Sequence, residues 1–432
     1  MQKQYRHSIV AAFAAIVALA LPASAAAVPT ITTVAPASVV AGAKATVTGT
    51  VTPAGAADQV RLEQNLDGAW VQAGAVATTT AAGAWSVAFA PSRSGAIRAV
   101  QLTGDLTTSA EATVAVQPRV MSAKLAAGRV YPFLGTRATW KVAPAAAYPN
   151  GTKVRIAMSL GGKAAGTVTA RIANGVVSAK LPSNGVGRFR ARLDLPQVPN
   201  YAATSNAQVT FVVAGQRVGS GSSSTWVRSL RAGLVFRGFH VPGGSRFDSR
   251  YGDSVIAFHK AYGRARTTSF EASDWKILTQ KRIAPRDPSK ALHIEIDKSR
   301  QILMLFKGGK AIKIVHVSTG STGNTPVGRH KIQWKGNWVP SLYGSLLWKS
   351  MAFRGAFAIH GYPSVPTQAA SHGCVRVPMW IAGALYAASP VGTPVIVYAG
   401  PGSNPTSIGR GSAKADKPEL TGIDASVYAS EA

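Results

Sequence analysis

Cysteine is almost absent from this sequence: 432 residues hold one, Cys374. No internal disulfide can form, so a cross-linked secreted scaffold is excluded. Acid is scarce as well. There are 17 Asp and Glu against 47 Lys and Arg, giving a formal net charge of +30 and a pI near 10.8. Residues 298–414 contain no Asp or Glu at all, while the same span carries thirteen Lys and Arg. A Ser-His-Asp type of triad therefore has no local carboxylate to complete it. Apolar runs of membrane length are also missing beyond the N-terminus, where residues 9–21 form a 13-residue run, too short to span a bilayer comfortably.

That run has basic flanks in Lys3 and Arg6, is broken by Pro22, and is followed by the small residues Ala23-Ser24-Ala25, with Ala25-Ala26-Ala27 as a second cleavage option. Residues 1–27 read as a secretory signal peptide; the alternative is an uncleaved N-terminal anchor. No cysteine lies near the cleavage site, so a lipid-anchored lipoprotein is not expected. Export predicts a secreted, cell-wall or extracytoplasmic location with no membrane span after cleavage. The positive charge then fits anionic wall polymers rather than nucleic acid.

Length predicts three or four domains. Residues 28–117 carry short period-two runs at 45–48, 60–63, 85–89, 97–100 and 112–116, separated by Gly or Pro, and predict an immunoglobulin-like sandwich. Residues 118–217 repeat the style at 138–142, 153–158, 166–170 and 209–213, and predict a second sandwich-like domain. The segments at 109–116 and 205–213 look alike about 96 residues apart. Their role is read as spacing or docking on polymer, or as purely structural. Residues 215–224 are Gly/Ser-rich and read as a linker. Helical periodicity follows at 228–238, 252–262 and 271–278, a small three-helix module over 226–284. Residues 288–400 return to alternating strands at 292–296, 301–306 and 311–317, with Lys307-Gly308-Gly309-Lys310 as a hairpin turn. A Gly-rich loop at 319–328, a helix at 378–388 and a last strand at 395–398 complete a mostly-β domain. Residues 401–432 lack periodicity and read as a disordered tail. The fold class is mainly β and multidomain.

Within the acid-free span, residues 357–376 read FAIHGYPSVPTQAASHGCVR. Cys374 follows His360 by 14 positions, and both His360 and His372 are followed by glycine. A thiol, an imidazole and flexible glycines are parts for nucleophilic catalysis. An idle thiol is disfavoured in an oxidising compartment, although a buried or inter-chain cysteine is the bland alternative. The surrounding cations predict a thiol whose ionised form is favoured. His360 is the expected base, with His372 as the other candidate.

Ser371-His372-Gly373-Cys374-Val375-Arg376, with His360-Gly361 upstream and the turn Thr325-Pro326-Val327-Gly328, resembles the signature of L,D-transpeptidases with a YkuD-type catalytic domain. The likeness covers about a quarter of the chain. It implies that Cys374 is the nucleophile and His360 the base, oriented by the Gly361 carbonyl. The N–H groups of Gly373 and Cys374 would form the oxyanion hole in a loop shaped by His372 and supported by Ser371. Arg376 would hold a substrate carboxylate. The implied substrates are peptidoglycan tetrapeptide stems: D-alanine leaves, a thioester forms, and a neighbouring amine, water or a protein lysine takes the acyl group. No cofactor or metal is implied. Where the family places a polar or acidic residue shortly after the arginine, this chain has Val377-Pro378-Met379-Trp380, which leaves the acceptor open. The helical segment resembles the peptidoglycan-binding-like three-helix module, except that His259 stands where a Gln is usual. A sortase would need a Thr-Leu-x-Thr-Cys context, which is absent. A zinc site from His360, His372 and Cys374 and a non-catalytic wall-binding protein are the remaining alternatives.

Overall fold

The computed structural model describes residues 29–399, except 55–56, 105, 127 and 280–281. The expected signal peptide (1–27) and tail (401–432) lie outside the described residues. Two compact units are present: one runs to Arg119 and includes Gln197–Ala203, the other takes Val120–Pro196 and the chain from Thr204 onward. Among the described residues no helix is long and apolar enough to cross a membrane.

The first unit is a two-sheet sandwich. Its strands are β1 (Thr30–Ile31), β2 (Ser38–Val40), β3 (Ala45–Thr52), β4 (Gln59–Leu66), β5 (Ala69–Gln72), β6 (Ala77–Thr78), β7 (Ala84–Phe89), β8 (Gly95–Gln101) and β9 (Ala112–Gln117). One sheet has the order β1-β3-β7 and the other β2-β9-β8-β4-β5, with β6 on β4. Alternation drives the packing. On β7, Trp85, Val87 and Phe89 turn inward while their neighbours are exposed, and they meet Val60, Leu62, Ile97 and Val114 of the opposite sheet.

The second unit begins with seven strands. β10 (Arg119–Leu125), β11 (Thr136–Ala143), β12 (Lys153–Leu160), β13 (Lys163–Ala173), β14 (Val176–Leu181), β15 (Gly187–Leu195) and β16 (Thr204–Val213) form one hydrogen-bonded sheet in the order β10-β11-β14-β13-β12-β15-β16. The continuity of this sheet comes from the length of β13. Most of its eleven residues pair with β12, and its last two, Ile172 and Ala173, pair with β14, so the ladder never breaks. The likeness between 109–116 and 205–213 does not reach equivalent positions: β9 lies between β2 and β8, whereas β16 is an edge strand.

Helices follow: α1 (Ser224–Phe236), α2 (Ser249–Ala261) and the short α3 (Asp274–Ile277). Asp248 caps α2 by accepting the Tyr251 N–H at 3.1 Å. The segment read as a linker is packed. Val218 is buried and exchanges backbone hydrogen bonds with Phe270, and the Trp275 indole N–H donates to the Gln216 carbonyl at 2.7 Å. His259 is 2% exposed; its ring bonds the Thr267 carbonyl and Asp274, so it serves an internal contact rather than a ligand surface.

The C-terminal module has two sheets. The first, ordered β19-β18-β17-β25-β20, uses β17 (His293–Asp297), β18 (Ile302–Lys307), β19 (Lys310–His316), β20 (Gly328–Lys331) and β25 (Pro394–Tyr398). The second is β21 (Trp334–Pro340), β22 (Leu346–Arg354), β23 (Phe357–Tyr362) and β24 (Val375–Pro378), with α4 (Met379–Ala388) packed on it. The expected turn joins β18 to β19 with positive φ at Gly308 (62°) and Gly309 (72°), the pair of conformations that a two-residue primed turn requires.

β18 explains why the helical module is no free spacer. Leu303 and Leu305 face the core between the two sheets, while Ile302, Met304 and Phe306 face the other way and join Trp226, Leu230, Tyr251, Phe258 and Trp275 in one cluster. A strand buried on both faces needs a layer on each. The helices are that second layer. Each large apolar side chain they cover is worth roughly 1.5–3 kcal/mol relative to exposure.

Candidate active site

β23 and β24 run parallel, with Ile359 opposite Val375 and His360 opposite Arg376. Side chains alternate across a sheet. Ile359, Val375 and Val377 enter the core, whereas Ala358, His360, Tyr362, Cys374 and Arg376 line a cavity of about 670 Å³. Two residues separated by 14 positions are thus brought to neighbouring places on one face. Cys374 stands just before β24, where the Ala358 N–H donates toward its sulfur and its thiol donates to the Ala356 carbonyl at 3.6 Å.

The loop carrying Cys374 is fixed from several sides. Ser371 Oγ donates to the Cys374 carbonyl at 2.6 Å and accepts the Gly373 N–H at 3.0 Å. Thr325 Oγ1 donates to the Gly373 carbonyl at 2.7 Å and accepts the Gly320 N–H at 2.9 Å. Asn324 Nδ2 donates to the His372 carbonyl at 2.8 Å, and Lys298 Nζ holds the Gly323 and Thr325 carbonyls. Gly373 has φ 132°, and a Cβ there would lie 2.6 Å from the Phe357 ring, so the position requires glycine. This bonding corrects one expectation. The Gly373 N–H is engaged by Ser371 and is not aimed at substrate, because the hydroxyl two residues earlier closes a tight turn on it.

His360 is 2% exposed, and its Nδ1 lies 3.0 Å from the Gly361 carbonyl. A carbonyl only accepts, so Nδ1 carries the proton and Nε2 of the neutral ring has a free lone pair. Burial pushes the imidazole down to about 4; the Gly361 carbonyl opposes this and Arg376 adds to it. Burial likewise pushes the Cys374 thiol up from its ordinary value, against the Ala358 N–H and Arg376. The expectation of an ionised sulfur in a cationic pocket is thereby corrected. Among the described residues, Arg376 is the cation that lowers the thiol. Others are spent elsewhere: Arg329 pairs with Asp287, Lys298 with loop carbonyls and Lys335 with Tyr386. Desolvation outweighs charge at both groups, and burial favours the neutral thiol and the neutral imidazole.

Arg376 exchanges backbone hydrogen bonds with Ser318 (3.0 and 2.9 Å), and its guanidinium sits 4.3 Å over the Tyr362 ring. It makes no ion pair among the described residues and faces the cavity. His372 is exposed, its ring stacked on Tyr343 at 4.1 Å, and it lines the rim rather than approaching as a buried base. Among the described residues no group of three or more His, Cys, Asp or Glu is placed to hold a metal ion.

Sequence reasoning missed several positioning residues. Asn324 and Lys298 gave no signal, and Tyr362 was findable only as the residue two past His360 on the same strand face. A buried polar chain was missed entirely. Lys260 on α2, 2% exposed, donates to the Val317 carbonyl at 2.9 Å and lies 3.3 Å from His316 Nδ1. His316 Nε2 lies 3.3 Å from Asp253 Oδ1, and Asp253 Oδ2 accepts the Trp380 N–H at 2.8 Å. The chain reaches both the strand segment that pairs with Arg376 and the helix that follows β24.

Residues 291–397 match the family model described as the L,D-transpeptidase catalytic domain, YkuD. Solved structures similar to the chain include an L,D-transpeptidase (residues 123–326) from Xylanimonas cellulosilytica, 28% identical, covering 43% of this chain and 98% of that one with a TM-score of 0.40. A fused Zn-dependent amidase/peptidase/peptidoglycan-binding domain-containing protein from Clostridium acetobutylicum is 21% identical, covering 43% of this chain and all of that one, with a TM-score of 0.22. No curated protein matches the chain. The match over 291–397 encloses both strands of the His360–Cys374 site, and this segment is a YkuD-type L,D-transpeptidase catalytic domain, which makes the chain an enzyme of the L,D-transpeptidase class.

Proposed function

We propose that the chain is an exported cysteine transpeptidase that makes 3→3 cross-links between peptidoglycan tetrapeptide stems. The observation that carries the reading is the shared cavity of Cys374 and His360, with the imidazole Nδ1 tied to the Gly361 carbonyl. A donor stem enters with its terminal carboxylate toward the Arg376 guanidinium, which offers paired donors. As Sγ attacks the carbonyl of the diamino-acid residue, the thiol proton passes to His360 Nε2 and the Sγ–C bond forms. The Cys374 N–H stabilises the oxyanion. The bond to D-alanine breaks, its nitrogen takes the proton from His360, and a thioester remains. A side-chain amine of a second stem then attacks, gives its proton to His360, and the sulfur leaves and is reprotonated.

Neutral groups suit this sequence. A base already protonated could not accept the thiol proton, and burial keeps the ring unprotonated at neutral pH. The experiment is digestion of purified tetrapeptide muropeptides with product analysis by mass spectrometry. The enzyme should release D-alanine and yield dimers, and Cys374→Ala should do neither. Undiminished release by that variant contradicts the assignment; tripeptide without dimer would assign water, not an amine, as acceptor.

A further inference from the structure

Positive charge is spread unevenly along the chain. Residues 28–117 carry four Lys and Arg against five Asp and Glu, a formal −1, whereas residues 118–217 carry fourteen against one, a formal +13. Two β-rich segments of similar length thus differ by fourteen charges (13 − (−1)). General solubility does not require such a contrast.

The fold gathers much of this charge on one face. In the part of the sheet built from β13, β12, β15 and β16, Val154, Ile156, Phe189, Ala191 and Leu193 turn inward and are buried. The alternate positions are exposed and hold Arg171, Lys153, Arg155, Arg188, Arg190 and Arg192. Register sets them side by side: Lys153 lies opposite Arg171, and Arg192 and Arg190 lie opposite Ala157 and Ser159, the next outward positions along Arg155's strand. Like charges adjacent across strands are destabilising, and little within the protein offsets them. The one acid, Asp194, is taken by Arg192 at 3.0 Å and Arg155 at 4.0 Å. Lys153, Arg188 and Arg190 make no ion pair among the described residues. Arg188, Arg190 and Arg192 recur at every second residue of β15, about 6.8 Å apart at a rise of about 3.4 Å per residue.

We propose that this face binds a linear aliphatic phosphodiester polymer of the cell wall, with successive phosphates laid along β15. Five of the six cations are arginines, and a guanidinium meets two phosphate oxygens with parallel donors. Thr167, Thr169 and Thr210 add exposed hydroxyls on the same face. The outward positions of these strands hold Thr, Ser, Ala, Gln, Val and the one Asp besides the cations, and no aromatic ring. Single-stranded nucleic acid is held by aromatic stacking as well as charge, so an aliphatic backbone is the better fit. The assignment is independent of the thiol chemistry.

The test uses the full chain and a fluorescein-labelled oligo(glycerol phosphate), read by anisotropy across a salt series. Wild type should bind, with log Kd linear in log salt. The triple variant Lys153→Ser/Arg188→Ser/Arg190→Ser spares both partners of Asp194. It should bind at least tenfold more weakly and lose about two units of salt slope, since each phosphate contact adds roughly 0.7–0.9. A control triple on the catalytic domain, Lys290→Ser/Lys307→Ser/Lys310→Ser, should bind like wild type. Three results overturn the proposal: equal loss in both triples, which would make net charge the cause; wild-type binding by the first triple; or displacement of the probe by polyglutamate or single-stranded DNA as readily as by unlabelled oligomer. Unchanged thermal melting of the first triple excludes misfolding as the source of its loss.

Discussion

Lys260 and Val317 are joined by a 2.9 Å hydrogen bond from a buried ammonium group to a backbone carbonyl. The contact ties the helical layer to the strand segment whose next residue, Ser318, pairs with Arg376. Removal of the amine takes the buried partner from the Val317 carbonyl and from His316 Nδ1, at about 1–3 kcal/mol for each group. Lys260→Met should therefore lower stability by about 2–6 kcal/mol, measured by urea denaturation at pH 9. It should also reduce kcat/KM through Arg376. Unchanged activity in a destabilised variant would separate the helical layer from the site.

The same lysine makes a pH prediction. Burial pushes it down to about 7 from an ordinary 10.5. Between those values the unfolded chain binds more protons than the folded one, so stability rises with pH from about 7 to about 10.5. Lys260→Met should flatten that rise, as unfolding free energies measured at several pH values will show. An unchanged slope would place the titration elsewhere.

Neutrality of the resting pair is testable by alkylation. With the thiol above its ordinary 9 and His360 near 4, iodoacetamide should react slowly at pH 6–8 and faster only above pH 9. The acid limb of kcat/KM should lie near pH 4, where His360 gains its proton. A rapid plateau of alkylation between pH 5 and 8 would indicate a preformed thiolate–imidazolium pair.

Ser371 holds two backbone groups of the nucleophile loop. Ser371→Ala removes both bonds, worth about 1 kcal/mol each, and should lower kcat roughly tenfold or more and the melting temperature by several degrees. Gly373→Ala should be more severe, because φ 132° and the 2.6 Å approach to Phe357 strain any side chain. Steady-state kinetics on tetrapeptide substrate decide both; wild-type kcat in Gly373→Ala would contradict the loop geometry.

The outline of the site was legible in the chain, and its electrostatics were not. His360-Gly361 and the SHGCVR string identified the thiol, the imidazole and the orienting carbonyl, because these are local in sequence. The parallel pairing that brings them together, Ile359 with Val375, crosses a 12-residue connection, 363–374, and leaves no local trace. Counting thirteen cations misjudged the sulfur, since formal charge says nothing about which groups lie close or how much water is lost. The packing of the helical layer on the catalytic domain was missed for a related reason. Ile302-Leu303-Met304-Leu305-Phe306 is five apolar residues in a row, the mark of a strand covered on both sides. Its second cover could only be the helices. The Gly/Ser-rich stretch before α1 looked like a linker, yet one buried valine, Val218, is enough to dock it.

Intact-protein mass spectrometry tests the central claim most directly. Enzyme mixed with a tetrapeptide donor and no acceptor amine, then quenched within seconds, should gain the mass of the donor minus D-alanine, removable by hydroxylamine and located on Cys374. No such adduct under conditions where D-alanine is released, or an adduct that persists in Cys374→Ala, would contradict a thioester on this sulfur.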